Sequence, residues 1–180
     1  MRMETTDEAL AQAAAAGDAV AFEHLLERHY DAVFRLAYRL TGAREDAEDI
    51  TQEVCAALPT RLTGFRAQAR FRTWLWRVVV NAVHDLRRRR ATQTRKEEGW
   101  GAWETTRRAG DAEAAAEAAW LLEAMRALPV DLRDTLALVL DEMSHAQAAE
   151  VLGISEGTVS WRVSKAKSCL RELREREDQS

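Results

Sequence analysis

Three groups of side chains in this sequence have the types and spacing for recognition chemistry. Asp46, Glu48, Asp49, Gln52 and Glu53 crowd one short stretch. On a helix such a row offers carboxylates for charge-assisted pairing with a basic partner. Between Arg61 and Lys96 stand eleven basic residues and one acid, Asp85, a bias that suits contact with nucleic-acid phosphates. The third group lies between Ser144 and Cys169 and reads as a helix-turn-helix. Two nucleic-acid-facing segments on one short chain fit a protein that holds two DNA elements at once. The residues of catalysis are not arranged for it. His24, His29, His84 and His145 are scattered without a convergent partner set, and no Gly-rich phosphate loop or nucleophile motif occurs. Cys55 and Cys169 lie far apart, without metal-ligand spacing. No enzyme activity, metal, disulfide or cofactor is expected.

The helix-turn-helix can be read residue by residue. Ser144 caps a short helix from His145 to Leu152, and Gly153 follows where a helix end most easily takes a positive φ. Ile154 plugs the turn, and Ser155 caps a second helix beginning at Glu156. Val159, Val163, Ala166 and Leu170 form the buried stripe of that helix. Ala148 and Ala149 let the first helix approach closely. Ser160, Trp161, Ser164, Lys165 and Lys167 face outward, the polar and basic set of a helix laid in the major groove.

These segments need elements to position them. Two prolines, eight glycines and repeated three-and-four apolar spacing predict an almost wholly helical chain. Asp18 to Leu40 reads as a long amphipathic helix ended by Thr41-Gly42. Arg44 to about Leu58 reads as a second, with Ala47, Ile50, Val54 and Ala57 inward, the acidic row outward, and Pro59 closing it. Thr60 to Phe71 is an irregular, Arg-rich connection. Thr73 is expected to cap a third helix from Trp74 to about Arg90, buried along Leu75, Val78, Val79, Ala82, Val83 and Leu86. From Thr92 to Ala116 no period is sustained, which fits a linker mobile until docked. Within it, Trp100 and Trp103 read as packing anchors or as a partner-binding spot. A second unit starts near Ala119 and leads through Leu128-Pro129 into the helix-turn-helix. The expected fold is all-α: two small helical domains, 1–91 and 119–180, joined by a flexible linker, 92–118.

The net charge of −4 is unusual for a DNA binder until it is divided along the chain. Glu4 to Glu53 carries twelve acids against four arginines, and Glu97 to Glu156 thirteen acids against four basic residues. Acidic faces oppose the phosphate attraction of the basic ones, so the free chain is expected to bind DNA weakly. No apolar run approaches membrane-spanning length and no signal-peptide pattern opens the chain, so a cytoplasmic protein is expected.

With these motifs in this order, the sequence resembles the extracytoplasmic-function sigma factors, the smallest sigma-70-type initiation factors of bacteria. The resemblance covers about Phe22 to Arg90 and Met125 to Leu173. It rests on Asp46-Ala47-Glu48-Asp49-Ile50-Thr51-Gln52-Glu53, on Phe71-Arg72-Thr73-Trp74-Leu75-Trp76-Arg77-Val78, on Asn81, Asp85 and the Arg87 to Arg90 run, and on Leu128-Pro129 leading to Gly157-Thr158-Val159. It implies core RNA polymerase and promoter DNA as partners, and an anti-sigma factor as regulator. Asp46, Glu48, Asp49, Gln52 and Glu53 would dock on polymerase. Phe65, Arg66, Gln68, Arg70, Trp74, Trp76, Arg77, Asn81, Arg87 and Arg88 would meet the −10 element. There, stacking and a basic groove compensate for unstacking a base. Arg133, Glu156, Thr158, Ser160, Trp161, Arg162, Ser164, Lys165 and Lys167 would serve the −35 element. The sequence departs from the usual family pattern at Ser160 and Trp161. Lys165 and Lys167 stand where Arg is common, which weakens bidentate guanine recognition. The alternative is an operator-binding regulator that uses the helix-turn-helix without polymerase.

Overall fold

The computed structural model describes residues 5–66, 68–94, 112–177 and 179. All regular elements among them are helices: α1 (Asp7–Ala15), α2 (Ala19–Thr41), α3 (Arg44–Leu62), α4 (Phe71–Thr94), α5 (Ala112–Ala127), α6 (Val130–Leu140), α7 (His145–Leu152) and α8 (Glu156–Glu177). Most of the linker expected over 92–118, with Trp100 and Trp103, lies outside the described residues. At its edges, α4 runs on to Thr94 and α5 begins at Ala112.

Local chemistry sets the helix ends. Asp18 caps α2 by accepting from the Val20 and Ala21 amides. Gly42 ends it at φ 76°, and a Cβ there would come within 2.8 Å of the Arg126 side chain, so both backbone and space require glycine. Pro59 does not close α3, which continues to Leu62. Proline removes one helical hydrogen bond, but Leu58 and Leu62, one turn apart and both buried, hold the last turn against the core. Thr73 is likewise not a cap. It lies buried inside α4, whose Phe71 amide donates to Glu8 Oε1 at 3.1 Å. A side chain from α1 thus satisfies one of the open amides at the start of α4.

α1 to α4 enclose Leu25, Leu36, Leu40, Ile50, Phe71, Leu75 and Val79, and α5 to α8 enclose Met125, Leu132, Leu136, Val151, Val159 and Val163. The two sets join in one continuous core, because α7 packs on α4 and α6 on α2. In the helix-turn-helix, Ser144 and Gln147 form a reciprocal cap, and Gly153 sits at φ 67°, as its spacing predicts.

Candidate polymerase and nucleic-acid interfaces

The acidic row on α3 divides by burial. Asp49, Gln52 and Glu53 are exposed and Glu48 is half-buried. Asp46, expected to face outward, is only 7% exposed. It stands one turn before buried Ile50, at the edge of the core stripe, and Arg90 of α4 covers it with a two-pronged ion pair. The hydrogen bonds it donates to Asp46 raise the Arg90 guanidinium above its ordinary value, against the opposing effect of burial. Glu48 pairs with Arg44 at 2.7 Å and Glu53 with Arg89 at 3.1 Å. An incoming cation would exchange with these exposed pairs at little cost.

Beside α3, a cavity of about 290 Å³ is lined by Arg61, Gly64, Trp74, Arg77, Val78 and Asn81. One aromatic wall, two guanidinium groups and a carboxamide suit a planar base joined to a phosphate. Trp74 is held from behind by Phe65, at 5.4 Å between ring centroids, and by Phe71, at 5.8 Å. Phe65 is therefore part of an aromatic cluster that fixes Trp74. Arg66, Gln68 and Arg70 are exposed on the connection before α4. Arg61 and Gly64 are cavity residues that sequence reading did not single out. Neither lies on a helix-periodic stripe that would signal it.

Two residues expected at the −10 element are placed elsewhere. Trp76 is fully buried, and its indole N–H donates to Asp141 Oδ2 at 2.7 Å. The periodic stripe of α4 accounts for one side only; α7 covers another, and Trp76 and Val80 are buried as well. Arg87 is drawn onto Asp134 through two hydrogen bonds of 2.8 and 2.9 Å and also donates to the Leu40 carbonyl. His84 adds a third bond to Asp134 at 2.8 Å. Burial pushes the Asp134 carboxyl up, but the His84 and Arg87 hydrogen bonds and the Arg87 charge outweigh it, leaving the carboxyl below its ordinary value. Arg88 is exposed and pairs with Asp85, and Arg77 reaches Glu150 of α7 at 3.3 Å.

On α8, Glu156, Ser160, Trp161, Ser164, Lys165 and Lys167 are exposed. Trp161 is 61% exposed, a large apolar surface without an aromatic or cation–π partner among the described residues. Ser160 Oγ lies 2.9 Å from His145 Nδ1, which ties the two helices of the motif together. Thr158 is half-buried and its hydroxyl bonds Ser155 at 2.8 Å, so it belongs to the cap of α8. Arg162, expected to reach DNA, turns back toward α6, with Nε 3.5 Å from Asp131 but without hydrogen-bond geometry. Arg133 is half-buried on α6 with its Nε unpartnered among the described residues. Burial, helped by the Arg87 charge, pulls its guanidinium below the usual value. Both side chains are thus half-buried at the α6 surface.

Among the described residues no group of His, Cys, Asp and Glu could hold a metal ion, and no helix is long and apolar enough to cross a membrane. The chain matches the family Sigma-70 region 2 over residues 25–93 and Sigma-70, region 4 over residues 118–170. It is 35% identical to the ECF RNA polymerase sigma factor SigM of Mycobacterium tuberculosis, covering 96% of this chain and 86% of that one. It is 30% identical to the RNA polymerase sigma factor CnrH of Cupriavidus metallidurans, over 96% of both chains. The solved structure of CnrH in complex with the cytosolic domain of CnrY superposes with a TM-score of 0.70 at 28% identity, covering 94% of this chain and 97% of that one. The fold is also that of RpoE from Bartonella quintana, solved with the anti-sigma factor NepR, at a TM-score of 0.76 and 22% identity, over 86% and 96% of the two chains.

Proposed function

Because this chain belongs to the extracytoplasmic-function sigma factors of RNA polymerase, we propose that it directs core polymerase to promoters through three separable surfaces. The exposed part of the α3 row, Glu48, Asp49, Gln52 and Glu53, docks on basic residues of the polymerase. Trp74, Arg77 and Asn81, with Arg61 at the rim, take an unstacked base of the −10 element, and Arg66, Gln68, Arg70 and Arg88 line the strand's approach. The exposed face of α8 reads the −35 element as duplex, with Trp161, Lys165 and Lys167 outermost. Sigma factors are not enzymes, and this division needs no catalytic group.

The cavity on α4 carries the reading. A single helix presents an aromatic face, a guanidinium and a carboxamide at one opening, beside an acidic helix and in the same chain as a capped helix-turn-helix. An operator-binding regulator would need only the last of these. Control by an anti-sigma factor is supported by the likeness to CnrH, which was solved with CnrY, and we place the protein in the cytoplasm beside polymerase. The test is transcription in vitro with purified core polymerase and a genomic fragment library. Promoter-specific transcripts that need both core and this chain are expected. Sequence-specific duplex binding without any such transcripts would replace this reading with the operator-binding one.

A further inference from the structure

Several polar groups in the first two turns of α8 are already engaged within the protein. The Thr158 hydroxyl is 2.8 Å from Ser155 Oγ, Ser160 Oγ is 2.9 Å from His145 Nδ1, and Arg162 is turned toward Asp131. The large side chain left standing outward is Trp161, at 61% the most exposed of the large apolar residues described. Gly157, Ser164 and Lys165, three and four positions away on the helix surface, are exposed beside it. A Cβ at Gly157 would meet nothing closer than Ser155 Oγ, at 3.8 Å, so packing within the chain does not call for glycine there. Small residues before and after the indole leave the ring proud of the helix, where it can enter a groove.

We propose that Trp161 reads thymine through its methyl group in the −35 duplex, giving this chain a specificity set by apolar contact. The proposal rests on the assignment of α8 to the −35 element. The N-terminal residues of such a helix meet base edges in the major groove. The apolar group presented there is the C5-methyl of thymine. An indole has one N–H donor and no acceptor, so it lacks the two-point contacts by which Arg selects guanine and Asn selects adenine. What it offers is apolar area, and covering a methyl group with it removes both from water. A protein partner is the poorer occupant. No other large apolar side chain among the described residues of α8 is exposed, whereas a protein-binding surface gathers several into a patch. The hydroxyls and Lys165 around the ring suit the polar edges and phosphates of a groove. With Arg162 withdrawn and Trp161 advanced, selection shifts from guanine toward A·T pairs.

The test uses holoenzyme assembled from core polymerase and the full chain, on a promoter recovered by the transcription assay. Each thymine of the −35 element, on either strand, is replaced in turn by uracil, which pairs alike but lacks the methyl. Equilibrium binding should weaken about fourfold at one or two of these positions, the value for one buried apolar carbon. Trp161→Ala, a change at an exposed position, should bind the unmodified promoter at least that much more weakly and lose the response to uracil. A −35 element without an A·T pair, no response to uracil at any position, or a Trp161→Ala holoenzyme as responsive as wild type overturns the proposal. Lys165→Ala tells this failure from that of the underlying assignment. Binding indifferent to both substitutions strikes the use of α8 at the −35 element; binding weakened by Lys165→Ala alone strikes the thymine reading and leaves that assignment standing. If the chain acts on duplex DNA without polymerase, the same uracil series on that duplex judges Trp161 by the same outcomes.

Discussion

Trp76→Phe separates a packing role from a DNA role at the residue where sequence and structure disagree most. The indole is fully buried and donates to a carboxylate at 2.7 Å, a bond to a charged group that contributes about 1.5–3 kcal/mol. Its ring also lies 5.3 Å from the Arg72 guanidinium, a cation–π contact of about 0.5–1 kcal/mol. Phenylalanine keeps the apolar burial but loses the donor and part of the volume. The expected cost is about 3 kcal/mol, or roughly 6–12 °C in melting temperature for a chain of this length. Thermal unfolding by circular dichroism measures the loss. Permanganate reactivity at −10 thymines, normalised to bound complex, measures strand opening and should be unchanged. An unshifted melting temperature with lost thymine reactivity would refute the packing assignment and return Trp76 to the DNA surface.

Other outcomes follow from the same geometry. Asp49→Lys with Glu53→Lys should weaken core-polymerase binding about tenfold or more at moderate salt while leaving the helical spectrum intact, as equilibrium titration with labelled core would report. Asn81→Ala should slow −10 opening while duplex binding persists, and Lys165→Ala should cost about 1–3 kcal/mol at promoters dependent on the −35 element if it reads a base. An identical defect from both would contradict the division between α4 and α8. Asp134, faced by His84, Arg87 and Arg133, has its folded carboxyl below the ordinary value. Its contribution is therefore complete above about pH 4, the unfolded value, and lost as pH falls through the folded one. Asp134→Asn should flatten that acid limb of the stability curve, and an unaltered limb would remove this carboxyl from the balance.

The features legible in the sequence are those written in local chemistry. The Ser144 cap, the Gly153 turn and the Val159–Val163–Ala166 stripe need only near neighbours, and each is found where its spacing puts it. Pro59 misled because its local cost is offset by the burial of Leu62, a tertiary gain. Thr73 misled because the open amide at the start of α4 is met by Glu8, sixty-three positions away. Asp46, Trp76 and Arg87 shared one difficulty. Their types and positions fit a surface role, and what buries them comes from elsewhere: Arg90 for Asp46, and the α6 carboxylates for the other two. No periodicity marks Asp134 and Asp141 as partners of α4. A buried charge is a property of the assembled helices, and only its pairing reveals it.

The central claim is that this chain selects promoters only as part of polymerase. A salt series of duplex promoter binding, run with and without core polymerase and read by footprinting, tests it directly. The free chain should bind weakly and without sequence preference at physiological salt, and core should produce one protected site spanning the −35 and −10 elements with reactive thymines in the latter. Tight, sequence-specific protection by the free chain, unchanged when core is added, would contradict the account.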